Sequence, residues 1–251
     1  MAMSIAPVAE PHGSPVESPV KAADAHREQR IAARAAALFQ ERRLFGWKRL
    51  DRAFAWLMAG QWAFAVVIAL LVSPYGWAGK VKAVHFHVYL AVLGGAVLTL
   101  FPAALAAFHP GRALTRHVIA ANQMLWSALL IHLTGGRIET HFHVFGSLAF
   151  LSFYLDWRVL LTATVVVAGD HLLRQLLWPE SVYGVLNPEW WRFLEHAFWV
   201  LFENTVLVLA CLTGVKDLMH AARQQAAVEA LRESDEVKSL ALEMALAEAR
   251  R

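Results

Sequence analysis

Six apolar segments, each close to the length of a membrane-spanning helix, decide what this chain can fold into. A helix needs roughly 20 mainly apolar residues to cross the hydrocarbon core of a bilayer. The predicted segments are residues 53–73, 83–107, 113–134, 139–156, 158–178 and 192–214. Because 58% of the 251 residues are hydrophobic, an ordinary soluble domain is excluded. The sequence therefore predicts an all-α, polytopic membrane protein, with six transmembrane helices in a domain that spans residues 53–214.

The regions on either side of this domain are more polar. Residues 1–23 contain four prolines and no apolar run, which predicts a disordered cytoplasmic tail and no signal peptide. Residues 24–52 predict a basic amphipathic helix on the inner membrane surface, or a solvated helix that leads into the first span. Residues 215–251 contain no Gly or Pro, and their apolar 3-4 spacing predicts a coiled coil or a long exposed helix. We predict a homodimer through this helix.

The distribution of basic residues predicts the orientation of the helices. Nine of the 23 lysines and arginines lie between Lys21 and Arg52, and such clusters favour the cytoplasmic side of a membrane. Six crossings then place both termini in the cytoplasm, with the lipid bilayer as a partner. Nucleic-acid binding is the competing interpretation of a basic arm, but only the arm supports it, so no nucleic acid is predicted. Cys211 is the only cysteine, which excludes a disulfide framework and a thiolate metal site.

Histidines gather near the outer ends of the predicted helices. Seven of the twelve lie at this depth, on five helices: His85, His87, His132, His141, His143, His171 and His196. Three or four imidazoles can bind Zn, Cu or Fe, and carboxylates can complete such a site. We therefore predict a transition-metal centre with one or two ions (Fe, Cu or Zn). Haem b is the alternative, with axial ligands from His87, His132, His143, His171 and His196. Hydrogen bonds to lipid headgroups or neighbouring helices are a third explanation of these histidines.

Helix geometry ranks two of these histidines. Residues i and i+2 on a regular helix point about 200° apart, so His141 and His143 cannot both face one ion. His143 shares its face with Glu139 and with Ser147, the small and polar side expected inside a bundle. The pattern therefore favours His143 over His141, with Glu139 as a further candidate metal ligand.

Two more carboxylates belong to the predicted ligand set. Asp170 adjoins a histidine, although an i,i+4 ion pair with Arg174 is the alternative role. Glu203 lies deeper in the last predicted helix. A carboxylate at that depth requires a partner, and Asn122 or Gln123 at a similar depth is expected to provide it.

Motifs for enzymatic chemistry are absent from the sequence. The chain contains no nucleophile elbow, phosphate-binding loop, dinucleotide motif or desaturase histidine box, so no catalytic residue is predicted. A membrane metalloenzyme that uses the same histidines is the alternative function. A transporter is a weaker one, because polar residues become scarce toward the inner face.

Two stretches carry a resemblance to a known class of proteins. They are IHLTGGRIETHFHVFGSLAFLSFYLDWRVLL and GDHLLRQLLWPESVYGV, residues 131–161 and 169–185. Together they resemble the membrane-embedded sensor regions of bacterial sensor histidine kinases and chemoreceptor-like proteins, over about residues 83–251. The final LALEMALAEARR looks like the helical lead-in to the dimerisation and phosphoacceptor helices of such kinases.

The resemblance implies a sensory input module of a signal-transduction protein, such as a two-component system, in the bacterial inner membrane. It also implies a downstream signalling domain or protein that receives the signal. The 251 residues contain no phosphoacceptor histidine motif and no ATP-binding, cyclase or methyl-accepting region. Kinase activity is therefore an expectation about a longer parent or a partner.

Overall fold

The helices of this chain confirm the predicted all-α class. The computed structural model describes residues 19–251, so most of the predicted N-terminal tail lies outside the described residues. The helices are α1 (Pro19–Val72), α2 (Phe86–Tyr89), α3 (Gly95–Phe108), α4 (Ala113–Leu133), α5 (Ile138–Ser152), α6 (Trp157–Leu177), α7 (Glu180–Tyr183) and α8 (Arg192–Ala249). A π-helical turn, Leu90–Gly94, joins α2 to α3. The predicted amphipathic helix over residues 24–52 is part of α1, which continues without a break into the first apolar segment.

A short hairpin follows α1, and the sequence pattern did not predict it. Its strands are β1 (Tyr75–Ala78) and β2 (Val81–Val84), which pair antiparallel with Tyr75 opposite Val84. The Lys82 Nζ lies 3.5 Å from the centre of the Tyr75 ring, a cation–π contact across the two strands. The second apolar segment therefore becomes helical only at Phe86.

Four helices in the described part of the chain are long and apolar enough to cross a membrane. They cover Asp24–Val72, Phe86–Phe108, Trp157–Leu177 and Arg192–Ala249. The other two predicted spans correspond to α4 and α5. Helix α5 has only 15 residues, about 22 Å at 1.5 Å per residue, which is shorter than the ~30 Å hydrocarbon core.

Helix α4 is the central helix of the bundle and packs against α3, α5 and α6. Trp126, Ile119 and Ile131 on α4 are fully buried. Its polar side chains Gln123 and Ser127 are also fully buried, so they face other helices instead of lipid. Interior polar residues of this kind lower the mean hydropathy of α4 below that of a lipid-exposed span.

Two buried carboxylates connect the loops at the end of the bundle where α4 begins and α5 ends. Asp51 on α1 accepts hydrogen bonds from the Gly111 backbone N–H at 2.6 Å and from the Tyr154 hydroxyl at 2.8 Å. Asp156 caps α6 and forms a buried ion pair with Arg116 of α4, with 3.0 Å between Nε and Oδ2. Paired in this way, both carboxylates can remain away from water.

The chain divides into two compact units. One unit is residues 39–218, and it contains all the elements above except the start of α1 and the end of α8. In the other unit, the first turns of α1 and the last turns of α8 form ion pairs, at 2.6 Å for Arg30 with Glu233 and 2.8 Å for Arg34 with Glu229. The Arg34 guanidinium holds the pKa of Glu229 below its usual range. Because these side chains are exposed, each pair contributes little to stability.

Candidate functional site

Three of the predicted histidines come together from three different helices. His141 lies in the first turn of α5, His171 near the end of α6, and His196 early in α8. The ring centroids are 5.7 Å apart for His141 and His171, 5.3 Å for His141 and His196, and 5.9 Å for His171 and His196. We call these residues the histidine trio.

The three rings share one hydrogen-bonding arrangement. Each Nδ1 lies 2.9–3.1 Å from the carbonyl oxygen of the residue four positions earlier, which is Arg137, Val167 or Arg192. A carbonyl oxygen only accepts, so each Nδ1 carries a proton, and a neutral ring then keeps its lone pair on Nε2. Histidines that bind metals usually have this arrangement, with one nitrogen on the ion and the other donating to a carbonyl or carboxylate.

The spacing of the trio is close to that of three imidazoles around one ion. With metal–nitrogen bonds of about 2.1 Å, three bound rings would have centroids roughly 5 to 5.5 Å apart. Among residues 19–251, however, no group of three or more His, Cys, Asp or Glu side chains is placed to hold a metal ion as it stands. Binding at the trio would therefore require the rings to rotate about their side-chain torsions.

A small apolar cavity adjoins the trio. It has a volume of about 110 Å³ and is lined by all three histidines together with apolar side chains such as Val144, Val167 and Val200. The His141 Nε2 is buried and makes no hydrogen bond among the described residues. The cavity leaves room for a small molecule next to these ring nitrogens.

A chain of polar contacts leads away from the trio. The Asp170 Oδ2 lies 3.3 Å from the His171 Nδ1 and also pairs with Arg174, which confirms the i,i+4 ion pair predicted as the alternative. Arg174 donates to the Ser181 Oγ at 3.1 Å, and this hydroxyl lies 2.9 Å from the His132 Nδ1. Asp170 is thus placed to orient the His171 ring.

A second group of histidines lies at the start of α2 and the end of α4. The His87 ring centroid is 4.3 Å from that of His85 and 4.8 Å from that of His132. The His85 Nδ1 accepts a hydrogen bond from the His87 backbone N–H, which places the His85 proton on Nε2. The His87 Nδ1 lies 2.7 Å from the Ser73 Oγ. These contacts stabilise the entrance to α2, and they leave His85 without a free nitrogen lone pair.

His143 belongs to neither group. Its Nε2 lies 2.9 Å from the Gln61 Nε2 and its Nδ1 lies 2.8 Å from the Ser127 Oγ, so both ring nitrogens have partners. On the predicted small and polar face of α5, His143 and Ser147 contact α1 and α4, whereas Glu139 is exposed. The structure therefore places His141, and not His143, beside the histidines of α6 and α8.

Among the described residues, the two remaining predicted carboxylates form no hydrogen bond or ion pair with a histidine. Glu139 is exposed in the first turn of α5. The Glu203 Oε2 is buried without a hydrogen-bond partner in the described part of the chain. The predicted pairing of Glu203 with Asn122 or Gln123 is wrong. Asn122 donates to a backbone carbonyl of α3, and Gln123 pairs with an amide side chain of α1.

Several contacting residues were not predicted. Gln61 and Ser127 are polar residues within apolar segments. Such a position could have indicated that their side chains face other helices. Tyr183, whose ring lies 5.3 Å from the His196 ring, had no such signal. Burial raises the pKa of Tyr183 to about 12, so its hydroxyl stays protonated and donates to Gln175 at 2.8 Å.

Comparison with known proteins relates part of the chain to signal transduction. A stretch of 97 residues, 37% of this chain, is 30% identical to the protein named Transducer protein Htr8 of Halobacterium salinarum. That stretch covers only 15% of the length of the transducer. No protein-family model and no solved structure matches the chain. Part of the chain is therefore similar to part of a transducer.

Proposed function

We propose that this chain is the sensory input module of a bacterial signalling protein, in which the histidine trio binds one transition-metal ion. In this proposal the chain crosses the inner membrane six times, and both termini are cytoplasmic. The observation that supports it best is the trio itself: three imidazoles from three helices, each with its Nδ1 proton held by a carbonyl. The partial similarity to a transducer supports the signalling role.

The dimensions of the site favour an ion over haem b. The three rings lie within 5.3–5.9 Å of one another, which suits one small ion, whereas haem b needs two imidazoles on opposite faces of a flat ring. Three neutral imidazoles form a ligand set that suits Zn, Cu or Fe, and Asp170 beside His171 would increase the basicity of that ligand. A small molecule in the adjoining cavity could reach an open position on such an ion.

The contacts of α8 within the bundle suggest how the site would act on the rest of the protein. His196 lies near the start of α8, where α5 contributes His141. Near the other end of α5, a Cβ on Gly214 of α8 would lie only 2.7 Å from the Leu155 Cδ2. The Cys211 Sγ donates to the Ser152 carbonyl at 3.3 Å. A change in ligation at His196 would therefore shift α8 against α5, a known type of switching motion.

The last part of α8 supplies the proposed output. Val237, Leu240 and Met244 are exposed and repeat at 3-4 spacing along this helix. We propose that they form the contact of a homodimer, because such spacing favours helix pairing. A downstream kinase or chemoreceptor-like domain, or a separate protein, would then receive the signal.

Elemental analysis and an optical spectrum of the purified chain test the metal proposal. We expect about one Zn, Cu or Fe per chain and no Soret band. A strong Soret band would show that the chain binds haem instead of a single ion. Protein that contains neither metal nor haem after purification without chelators, and that does not bind added Zn²⁺ or Cu²⁺, would contradict the proposal.

A further inference from the structure

A second candidate ligand site lies on the side of α5 that faces α1. A groove of about 480 Å³ runs between these helices, and Gln61, His143 and Ser147 lie at its polar end. Ligand sites for small molecules typically have volumes of 300–1,000 Å³ and a few polar groups. The groove is separate from the histidine trio, because no residue that lines the groove also lines the cavity beside the trio.

The walls of the groove are aromatic and its centre is open. Trp56 and Phe64 of α1 and Phe150 of α5 line it and are 81%, 52% and 48% exposed. Gly60 and Gly146 leave the space between these rings unfilled, because a Cβ at either position would meet no atom within 4 Å. A flat ring could enter from the surrounding lipid and pack against the aromatic side chains.

The polar end can both donate and accept hydrogen bonds. The amides of Gln61 and Gln123 pair reciprocally at 2.9 and 3.2 Å, and the Ser147 hydroxyl donates to the Gln123 Oε1 at 3.3 Å. Since the Gln61 amide nitrogen donates to His143, the ring proton of His143 is on Nδ1. Turning the paired amides over and moving this proton to Nε2 would reverse the direction of the hydrogen bonds.

From this geometry we infer that the groove binds the head group of a lipid-soluble quinone. A quinone has a flat ring, an apolar tail and carbonyl oxygens that accept hydrogen bonds. Its reduced form, the quinol, has hydroxyl groups that also donate. A reversible polar network at the end of an aromatic, lipid-facing groove suits both forms. An acyl chain, in contrast, has no group that can exchange hydrogen bonds with the polar end of the groove. The inference does not depend on the proposed metal site.

Binding of decylubiquinone to the full chain in phosphatidylcholine nanodiscs tests this site. We expect saturable quenching of tryptophan fluorescence, by the quinone and by its reduced form. Gly146→Leu fills the groove and should weaken binding at least about tenfold. Gly169→Leu is the matched control, because Gly169 lies on α6 with no atom within 4 Å of a Cβ, and it should bind like the wild type.

The same test separates a quinone site from general lipid contact. Quenching that rises linearly without saturation, or an equal loss of affinity in both leucine variants, would overturn the inference.

Photocrosslinking of the unmutated chain with an azidoquinone provides a second readout that does not depend on folding of a variant. Labels in the peptides around Trp56 or Phe150 are expected, and labels spread over all helices would also overturn it. An unchanged metal content in Gly146→Leu would show that the two sites are independent.

Discussion

Replacement of Arg116 with methionine is expected to lower the free energy of unfolding by about 3–5 kcal/mol, because it leaves a buried carboxylate unpaired. Arg116 and Asp156 are 8% and 7% exposed, and the pair connects α4 to the start of α6. Arg116 also packs on the Trp47 ring, with 3.9 Å from its Cζ to the ring centre. Unfolding in dodecylmaltoside micelles with increasing SDS, followed by circular dichroism, measures the effect.

Two further variants show whether the loss comes from the buried pair. Arg112→Met changes an exposed arginine at the start of the same helix and should alter stability by no more than about 0.5 kcal/mol. The double variant Arg116→Met/Asp156→Asn removes both charges but keeps a side chain that can cap α6, and it should recover most of the loss. If Arg116→Met unfolds like Arg112→Met, the ion pair does not hold this end of the bundle together.

Replacement of any one residue of the histidine trio with alanine is expected to reduce metal affinity by more than about 100-fold. Loss of a residue that only orients a metal ligand already costs 10–100-fold, and loss of a ligand should cost more. Titration of the chelator-treated protein with Zn²⁺ or Cu²⁺ measures this for His141→Ala, His171→Ala and His196→Ala. All three variants should lose binding to a similar degree.

The other histidines provide matched controls. His87→Ala and His143→Ala remove imidazoles from the same end of the bundle, but these rings lie outside the trio. Both variants should bind the metal with wild-type affinity. Loss of binding in His143→Ala with retention in His141→Ala would show that the other member of the His-x-His pair is the ligand.

The sequence was sufficient to predict the helical class, while the depth of the histidines in a membrane stays a prediction. Apolar length and polar periodicity act locally, so they identify the helices and the interior face of α5. They do not determine which neighbouring helix that face meets. The sequence therefore favoured His143, which lies on the polar face of α5. In the structure His143 contacts Gln61 and Ser127, and it is His141 that faces His171 and His196.

Other features depended on contacts between segments far apart in the sequence. Polar residues inside α4 reduce its hydropathy because α4 packs in the centre of the bundle, so α4 does not have the composition of a typical span. The partner of Glu203 was predicted from depth alone, but the polar face of α4 is turned toward α1 and α3. The β1–β2 hairpin lies where the pattern showed only a loop with aromatic and basic residues.

X-ray absorption spectroscopy of the metal-loaded chain tests the trio most directly. The proposal predicts three imidazole nitrogens around one ion at about 2.0–2.1 Å, and two in each single-alanine variant of the trio. A first shell of oxygen atoms alone, or an unchanged count of imidazoles in those variants, would contradict a metal site formed by His141, His171 and His196.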